Sequence, residues 1–218
     1  MADLGIIDLQ GGGAEHIEHF EQLGLSVARI KKPSDAPDNL AGLVIPGGES
    51  TCLSRLISNA GLEETIRDIP RQGGKLWGTC AGAIMLAEKV VKEEPKIPLI
   101  DIEIERNAFG SQLQSFSTTA KIPGVSELDL PLTFIRAPKI LSAAHSVKVL
   151  LRQKGYIAMA ESAEVLVTVF HPELTPSLAV HRYFAEKCGL TTAKNVPDII
   201  DDAAVWNITS WTRHQHPD

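Results

Sequence analysis

Cysteine is scarce in this chain: Cys52, Cys80 and Cys188 are the only three in 218 residues. So few, and so scattered, they exclude a disulfide framework and suit a reducing, cytoplasmic setting. No apolar run approaches the roughly 20 residues that a membrane-spanning helix needs, so no membrane partner is expected. The opening Met-Ala-Asp-Leu-Gly lacks the basic start and the cleavage site of a secretory signal. Basic charge is also in deficit. With 21 Lys and Arg against 27 Asp and Glu, the net charge is −6, which argues against nucleic acid as a partner. No internal repeat or low-complexity stretch stands out. What is present, 44% hydrophobic residues, suffices for the core of one good-sized α/β domain or two small ones.

The chain is organised around Gly78-Thr79-Cys80-Ala81-Gly82. The short apolar run Gly74 to Trp77 before it reads as a strand, and Ala81 to Ala87 after it is rich in helix formers. A strand turning sharply into a helix, with a nucleophile at the turn and small residues on either side, follows the logic of a nucleophile elbow. Gly78 and Gly82 leave room for a strained backbone and close strand–helix packing. Cys80 at a helix N-terminus would be favoured as thiolate. A lone Cys beside Ala and Gly also reads as a small buried hydrophobe.

In chain order, Leu4 to Leu9 is a buried-type strand, followed by Gln10 and the glycines Gly11 to Gly13. Their spacing is neither G-x-G-x-x-G nor a P-loop, so phosphate binding is not expected. Ala14 to Leu23 reads as a helix with Ile17, Phe20 and Leu23 on one face. Glu15, His16 and His19 on that helix have ligand-like spacing but no evident third ligand, and a solvated face is the expectation; neither metal nor cofactor is called for. Ser26 to Ile30 and Leu40 to Ile45 are further strands, the latter ending in Pro46-Gly47-Gly48-Glu49-Ser50-Thr51. Ser50 or Thr51 can cap the helix that follows, which runs to about Asn59, and Leu62 to Arg71 is another. The alternation predicts an α/β fold: a flavodoxin-like, doubly wound, mostly parallel sheet with helices on both faces. Functional loops then lie at the carboxyl ends of the strands, where Gln10, Gly47-Gly48 and Cys80 fall.

The second half reads as short strands separated by turns: Leu99 to Glu105, Leu113 to Ala120, Leu130 to Ile135, Val147 to Leu151, Tyr156 to Ala160 and Val165 to Phe170. Pro176 to Cys188 reads as a last helix. Residues 191–218 are polar without a strong period, a tail with a short helix near Asp198 to Trp206. His171 and Glu173, two apart at a strand end, point to the same side in extended chain. A carboxylate there can hold an imidazole in one tautomer. A Cys–His–Glu triad follows: Cys80 attacks a carbonyl carbon, His171 moves the proton, Glu173 orients His171. Gly47-Gly48 and the N–H of Ala81 can form an oxyanion hole.

Pro46 to Thr51, Gly78 to Gly82 and Phe170 to Leu174 together resemble triad-type glutamine amidotransferases. Glu105 to Gly110, Phe134 to Pro138, and Leu9-Gln10-Gly11 with Glu15-His16-Ile17 narrow the resemblance to the glutaminase subunits of pyridoxal 5′-phosphate synthase, the PdxT/SNO family. It covers about residues 4 to 188, so a glutaminase domain over 1–190 and an appended 191–218 are expected. The resemblance implies hydrolysis of L-glutamine to glutamate and ammonia. It further implies a (β/α)8-barrel synthase partner that receives the ammonia. Glutamine contacts carry over to Gly48, Glu49, Ser50, Arg106, Ile135 and Arg136, with Arg106 suited to the substrate α-carboxylate. For Arg136 the competing reading is a plain surface ion pair. Ala14 stands where the family usually carries a basic residue. A stand-alone cysteine hydrolase or peptidase is the alternative, which Arg106 and the Gly-Gly-Glu-Ser loop argue against. An intact Cys, His and Glu argues against a non-catalytic subunit.

Overall fold

The computed structural model describes residues 2–106 and 115–200. The first half runs β1 (Leu4–Ile7), α1 (Gly13–Gln22), β2 (Val27–Ile30), β3 (Gly42–Ile45), α2 (Ser50–Asn59), α3 (Glu63–Arg71), β4 (Lys75–Thr79) and α4 (Ala81–Leu86). The second half is mostly strand: β5 (Ala87–Val90), β6 (Ile100–Glu105), β7 (Phe116–Ile122), β8 (Ser126–Phe134), β9 (Lys139–Ala143), β10 (Lys148–Gln153), β11 (Tyr156–Glu161) and β12 (Val165–Thr168), closed by α5 (Ala179–Lys187). No helix among the described residues is long and apolar enough to cross a membrane.

Strands β2, β1, β3, β4 and β12 lie side by side in that order, all parallel. β1, β3 and β12 are buried along their whole length, as expected of parallel strands covered on both faces. Neighbouring residues of β4 show the two coverings. Trp77 packs against Phe20 of α1 and Phe184 of α5. A Cβ on Gly78 would lie 2.5 Å from the backbone of Gly82 in α4. Successive strand residues point to opposite faces, so α1 and α5 cover one side and α4 the other. The doubly wound α/β arrangement is therefore present.

Past β12 the sheet continues through antiparallel β11, β9 and β6 to β5, with β10 also paired to β11. β7 and β8 form a separate hairpin. β5 and β9 are additions to the sequence reading. β5 exposes its central Glu88 and Lys89 and buries only its ends, so it carries no alternating pattern. α5 starts at Ala179 instead of Pro176 because Pro172–Leu174 form a 3-10 turn and the chain stays irregular up to Leu178.

Two local readings are corrected. The cap of α2 is Glu49 and not Ser50 or Thr51: its carboxylate accepts from Thr51 N at 3.0 Å and Cys52 N at 2.7 Å, and an ionised oxygen competes well for these orphan N–H groups. The Glu15, His16, His19 face of α1 is buried, not solvated. The two ring nitrogens of His19 lie 2.8 and 3.0 Å from the carbonyl oxygens of Glu15 and Thr175, the neutral ring donating to one of them, and His16 contacts His181 of α5.

Residues 192–200 are tied to α5. The Arg182 guanidinium donates to Asp198, Thr192 and the carbonyls of Ala193 and Val196, and Leu178 N donates to Asp198 O. The helix expected near Asp198 to Trp206 falls largely outside the described residues.

Candidate active site

The parallel strands deliver four loops to one end of the sheet. After β4 the backbone reverses at Cys80, which takes φ 47° and ψ −100°. A positive φ is costly for a residue with a side chain and is held only where the surroundings enforce it. Here Cys80 N–H donates to Thr168 O at 2.8 Å. A Cβ on Gly82 would collide with the Ile45 carbonyl. Small residues therefore let α4 start directly over β3. Ala81 is the first residue of α4, so its N–H has no intrahelical partner, and the residue lines a cavity together with Cys80.

β12 supplies the facing side. His171 N donates to Thr133 O at 2.8 Å, which ties this loop to β8. His171 Nδ1 lies 2.7 Å from Glu173 Oε1, and the ring and Cys80 line the same cavity. Since Nδ1 is committed to the carboxylate, Nε2 is the nitrogen left free for the Cys80 thiol. Burial opposes charge on His171. The Glu173 carboxylate and Cys80 outweigh it, holding the imidazolium pKa well above its ordinary value. Glu173 is wholly buried, which would raise its pKa, but His16 and His171 bring it down to about 2. Glu173 is thus an anion at neutral pH, and its charge favours the protonated form of its neighbour His171.

The other two loops form the opposite wall. Gln10 Nε2 donates to Glu49 O at 2.7 Å, bridging the loops after β1 and β3. Arg106, at the end of β6, donates through Nη1 to both oxygens of Glu93 (2.8 and 2.9 Å) and through Nη2 to Glu49 Oε1 and Thr51 Oγ1 (3.2 Å each). Two backbone N–H groups and Arg106 hold the Glu49 carboxyl below its usual range. Ile135 and Arg136 follow β8; Arg136 sits at φ 43°, is exposed, and enters no ion pair among the described residues.

One cavity is lined by Gly48, Glu49, Ser50, Cys80, Ala81, Arg106, Ile135, Arg136, His171 and Glu173, so every site residue read from the sequence reaches it. Gly47, beside Gly48 in the same loop, and Gly11, Gly12, Ile84, Pro138 and Leu174 complete the lining. Of these, Gly11 and Gly12 stood in a motif already singled out. Ile84, Pro138 and Leu174 are apolar wall, with no signature beyond nearness in sequence to Cys80, Arg136 and Glu173. Among the described residues no group of His, Cys, Asp and Glu is arranged to hold a metal ion.

A cysteine at a strand–helix elbow, facing a His–Glu pair on a doubly wound sheet, defines a class: the triad-type amidotransferase. The match to known proteins is narrower. The sequence model of the SNO glutamine amidotransferase family covers residues 6–190, and the chain belongs to that family. It is 52% identical over 210 residues to the pyridoxal 5′-phosphate synthase subunit PdxT of Syntrophus aciditrophicus, spanning 96% of this chain and 93% of the relative. The PdxT of Clostridium botulinum is 41% identical over 189 residues, 86% of this chain and 97% of that one. A crystal structure of a glutamine amidotransferase superposes with a TM-score of 0.80 at 36% identity, covering 86% of this chain and all of its own.

Proposed function

We propose that this chain is the glutaminase subunit of a pyridoxal 5′-phosphate synthase and that Cys80, His171 and Glu173 carry its chemistry. Cys80 Sγ attacks the side-chain amide carbon of L-glutamine. His171 holds the thiol proton and gives it to the departing nitrogen, so ammonia leaves and a thioester remains. Water, deprotonated by His171, then cleaves the thioester to glutamate and restores the thiol. Glu173 keeps His171 oriented and stabilises its charge. The N–H groups of Gly48 and Ala81 receive the oxyanion.

The observation that carries this reading is the convergence of the triad and the rim in one cavity. Glutamine is a zwitterion, and the rim has both signs to meet it: Arg106 and Arg136 for the α-carboxylate, Glu49 for the α-ammonium. Gly48, Ser50 and Ile135 complete the substrate contacts. The peptidase alternative does not explain a closed rim of opposite charges around one nucleophile. The PdxT relatives are named as synthase subunits, which supports a synthase partner; the family resemblance makes that partner a (β/α)8 barrel that takes the ammonia before it reaches water. The glutaminase unit spans residues 1–190, with 191–218 an appendage docked on α5 by its first residues. The reduced thiols fit work in the cytoplasm.

The test is glutamine hydrolysis by the purified chain as the synthase subunit is titrated in. Turnover is expected to rise by about 10²–10³, the value of one oxyanion donor brought into place by docking. No hydrolysis at any ratio would end the glutaminase reading, and a flat, maximal rate would show a site complete without the partner.

A further inference from the structure

The reaction scheme uses only one oxygen of Glu173. Oε1 accepts from His171, whereas Oε2 is buried and makes no hydrogen bond of ordinary length among the described residues. The group facing it is His16 Nε2, at 3.5 Å. His16 belongs to the Glu15-His16 stretch of α1 and is fully buried. Its Nε2 is also 3.3 Å from Oγ1 of Thr79, the residue before the nucleophile, and its Nδ1 is 2.8 Å from His181 Nε2 on α5. The His16 ring packs nearly perpendicular to that of Trp77, centroids 5.0 Å apart and planes at 79°.

We propose that His16 is a positioning residue for the His171–Glu173 pair, donating from Nε2–H to Glu173 Oε2 and so keeping Oε1 on His171 Nδ1. This rests on the glutaminase reading for its role in turnover, though not for its effect on Cys80 itself.

The hydrogen-bond arithmetic selects this tautomer. With the proton on His16 Nε2, the carboxylate and Thr79 both see a donor. His16 Nδ1 then accepts from His181 Nε2–H, leaving His181 Nδ1 a bare lone pair, and that atom indeed has no partner among the described residues. With the proton on His16 Nδ1, Oε2 would face a lone pair and His181 would bury an N–H with nothing to accept it, the costlier fault. A doubly protonated His16 is disfavoured because burial holds its pKa at about 4 against the pull of Glu173. The charged or titratable groups around it are Glu173, His171, His19 on its own helix and His181 on α5. The result is a relay of fixed donors, His181 to His16 to Glu173, ending on the residue that orients the catalytic base.

The test uses His16→Leu, His16→Gln and His16→Asn in the complex with the synthase subunit. Two pH profiles are read: glutamine turnover, and alkylation of Cys80 by iodoacetamide followed by mass spectrometry. Gln carries an N–H where His has Nε2; Asn reaches only the Nδ1 position. His16→Leu is expected to lower kcat about 10- to 100-fold at little changed KM, the value of a hydrogen bond to a buried charge. The acidic limb of both profiles should move up by about one pH unit, because a Glu173 free to turn from Nδ1 stabilises the His171 imidazolium, and with it the reactive ion pair, less well. His16→Gln should stay near wild type, and His16→Asn should follow His16→Leu. If His16→Leu does not fold, the Gln and Asn variants decide alone. An unshifted limb in His16→Asn, or equal losses in Gln and Asn, would overturn the proposal. Inactive wild type would instead defeat the glutaminase reading, with the alkylation profiles still judging His16.

Discussion

Gly11 and Gly47 approach so closely that a Cβ on Gly11 would strike the Gly47 carbonyl oxygen. Gly11 also has φ +82°, a conformation that costs glycine little and other residues more. The contact fixes the peptide that leads into Gly48, the donor loop of the cavity. Gly11→Ala is therefore expected to displace that peptide and cut kcat by about 10²–10³, as loss of one oxyanion donor does. The cooperative unfolding transition should be kept, since the position lies in a loop. Steady-state kinetics beside a thermal melt measure both. Wild-type kcat in a folded Gly11→Ala protein would show that this loop does not set the site.

The triad should fail in grades. Cys80→Ala is expected to abolish turnover, since Cys52 is exposed and Cys188 lies in the α5 C-cap, away from the cavity. His171→Asn should be nearly as severe. Glu173→Gln should retain more activity, because an amide oxygen still accepts from Nδ1 although the charge is lost; members of such a unit are not additive. Turnover in His171→Asn equal to wild type would rule out the assigned base.

Stability should fall on mild acidification. His16, His19 and His181 are buried, and burial lowers the pKa of each. Below the unfolded value near 6.5 the unfolded chain takes up protons that the native state refuses, so each histidine costs about 1.4 kcal/mol per pH unit until its native pKa is reached. His171 runs the other way. Its raised pKa makes its contribution complete below 6.5 and lost only at higher pH. Glu173 contributes above its unfolded value near 4.5 and loses that contribution as pH falls toward about 2. Denaturant titrations from pH 7.5 to 4.5 should show the loss, and His181→Gln should flatten it by about one proton. Parallel curves for the two proteins would contradict this assignment.

Truncation after Leu190 should leave glutamine hydrolysis in place but lower the melting temperature. Arg182 would lose Asp198, Thr192 and two carbonyl acceptors at once, a loss of about 1–3 kcal/mol for a partly buried charge-assisted network. Arg182→Ala in the full chain should reproduce most of that loss. A truncated protein that melts like wild type would show that the docking of 192–200 contributes nothing.

The elbow was readable because its sequence signature is local, although β3 and β12 help to hold it. Gly78, Cys80 and Gly82 are neighbours in sequence, and the close approaches that demand glycine occur within that turn and the adjoining β3. His171 and Glu173 were readable for the same reason. Arg106 could be placed at the site, but its engagement by Glu93 and Glu49 could not, because those partners come from separate loops. The α1 face is buried although Glu15, His16 and His19 look polar, because β4, α5 and the β12 loop, all farther along the chain, pack against it. Glu49 as cap was overlooked in favour of the usual hydroxyls at Ser50 and Thr51. β5 and β9 carry too few apolar positions to announce themselves, and their pairing with β6 defines them.

The most direct measurement is the site of covalent capture. The complex is treated with a glutamine analogue bearing an electrophilic carbonyl in place of the amide, and the peptides are mapped by mass spectrometry. Cys188 is an inert competitor, because burial pushes its thiol up to about 12; Cys52 is exposed and reports non-specific reaction. A single adduct on Cys80, formed in step with loss of glutamine hydrolysis and absent from His171→Asn, is the predicted result. An adduct on Cys52 or Cys188 with Cys80 unmodified and hydrolysis gone would contradict the assignment of the nucleophile.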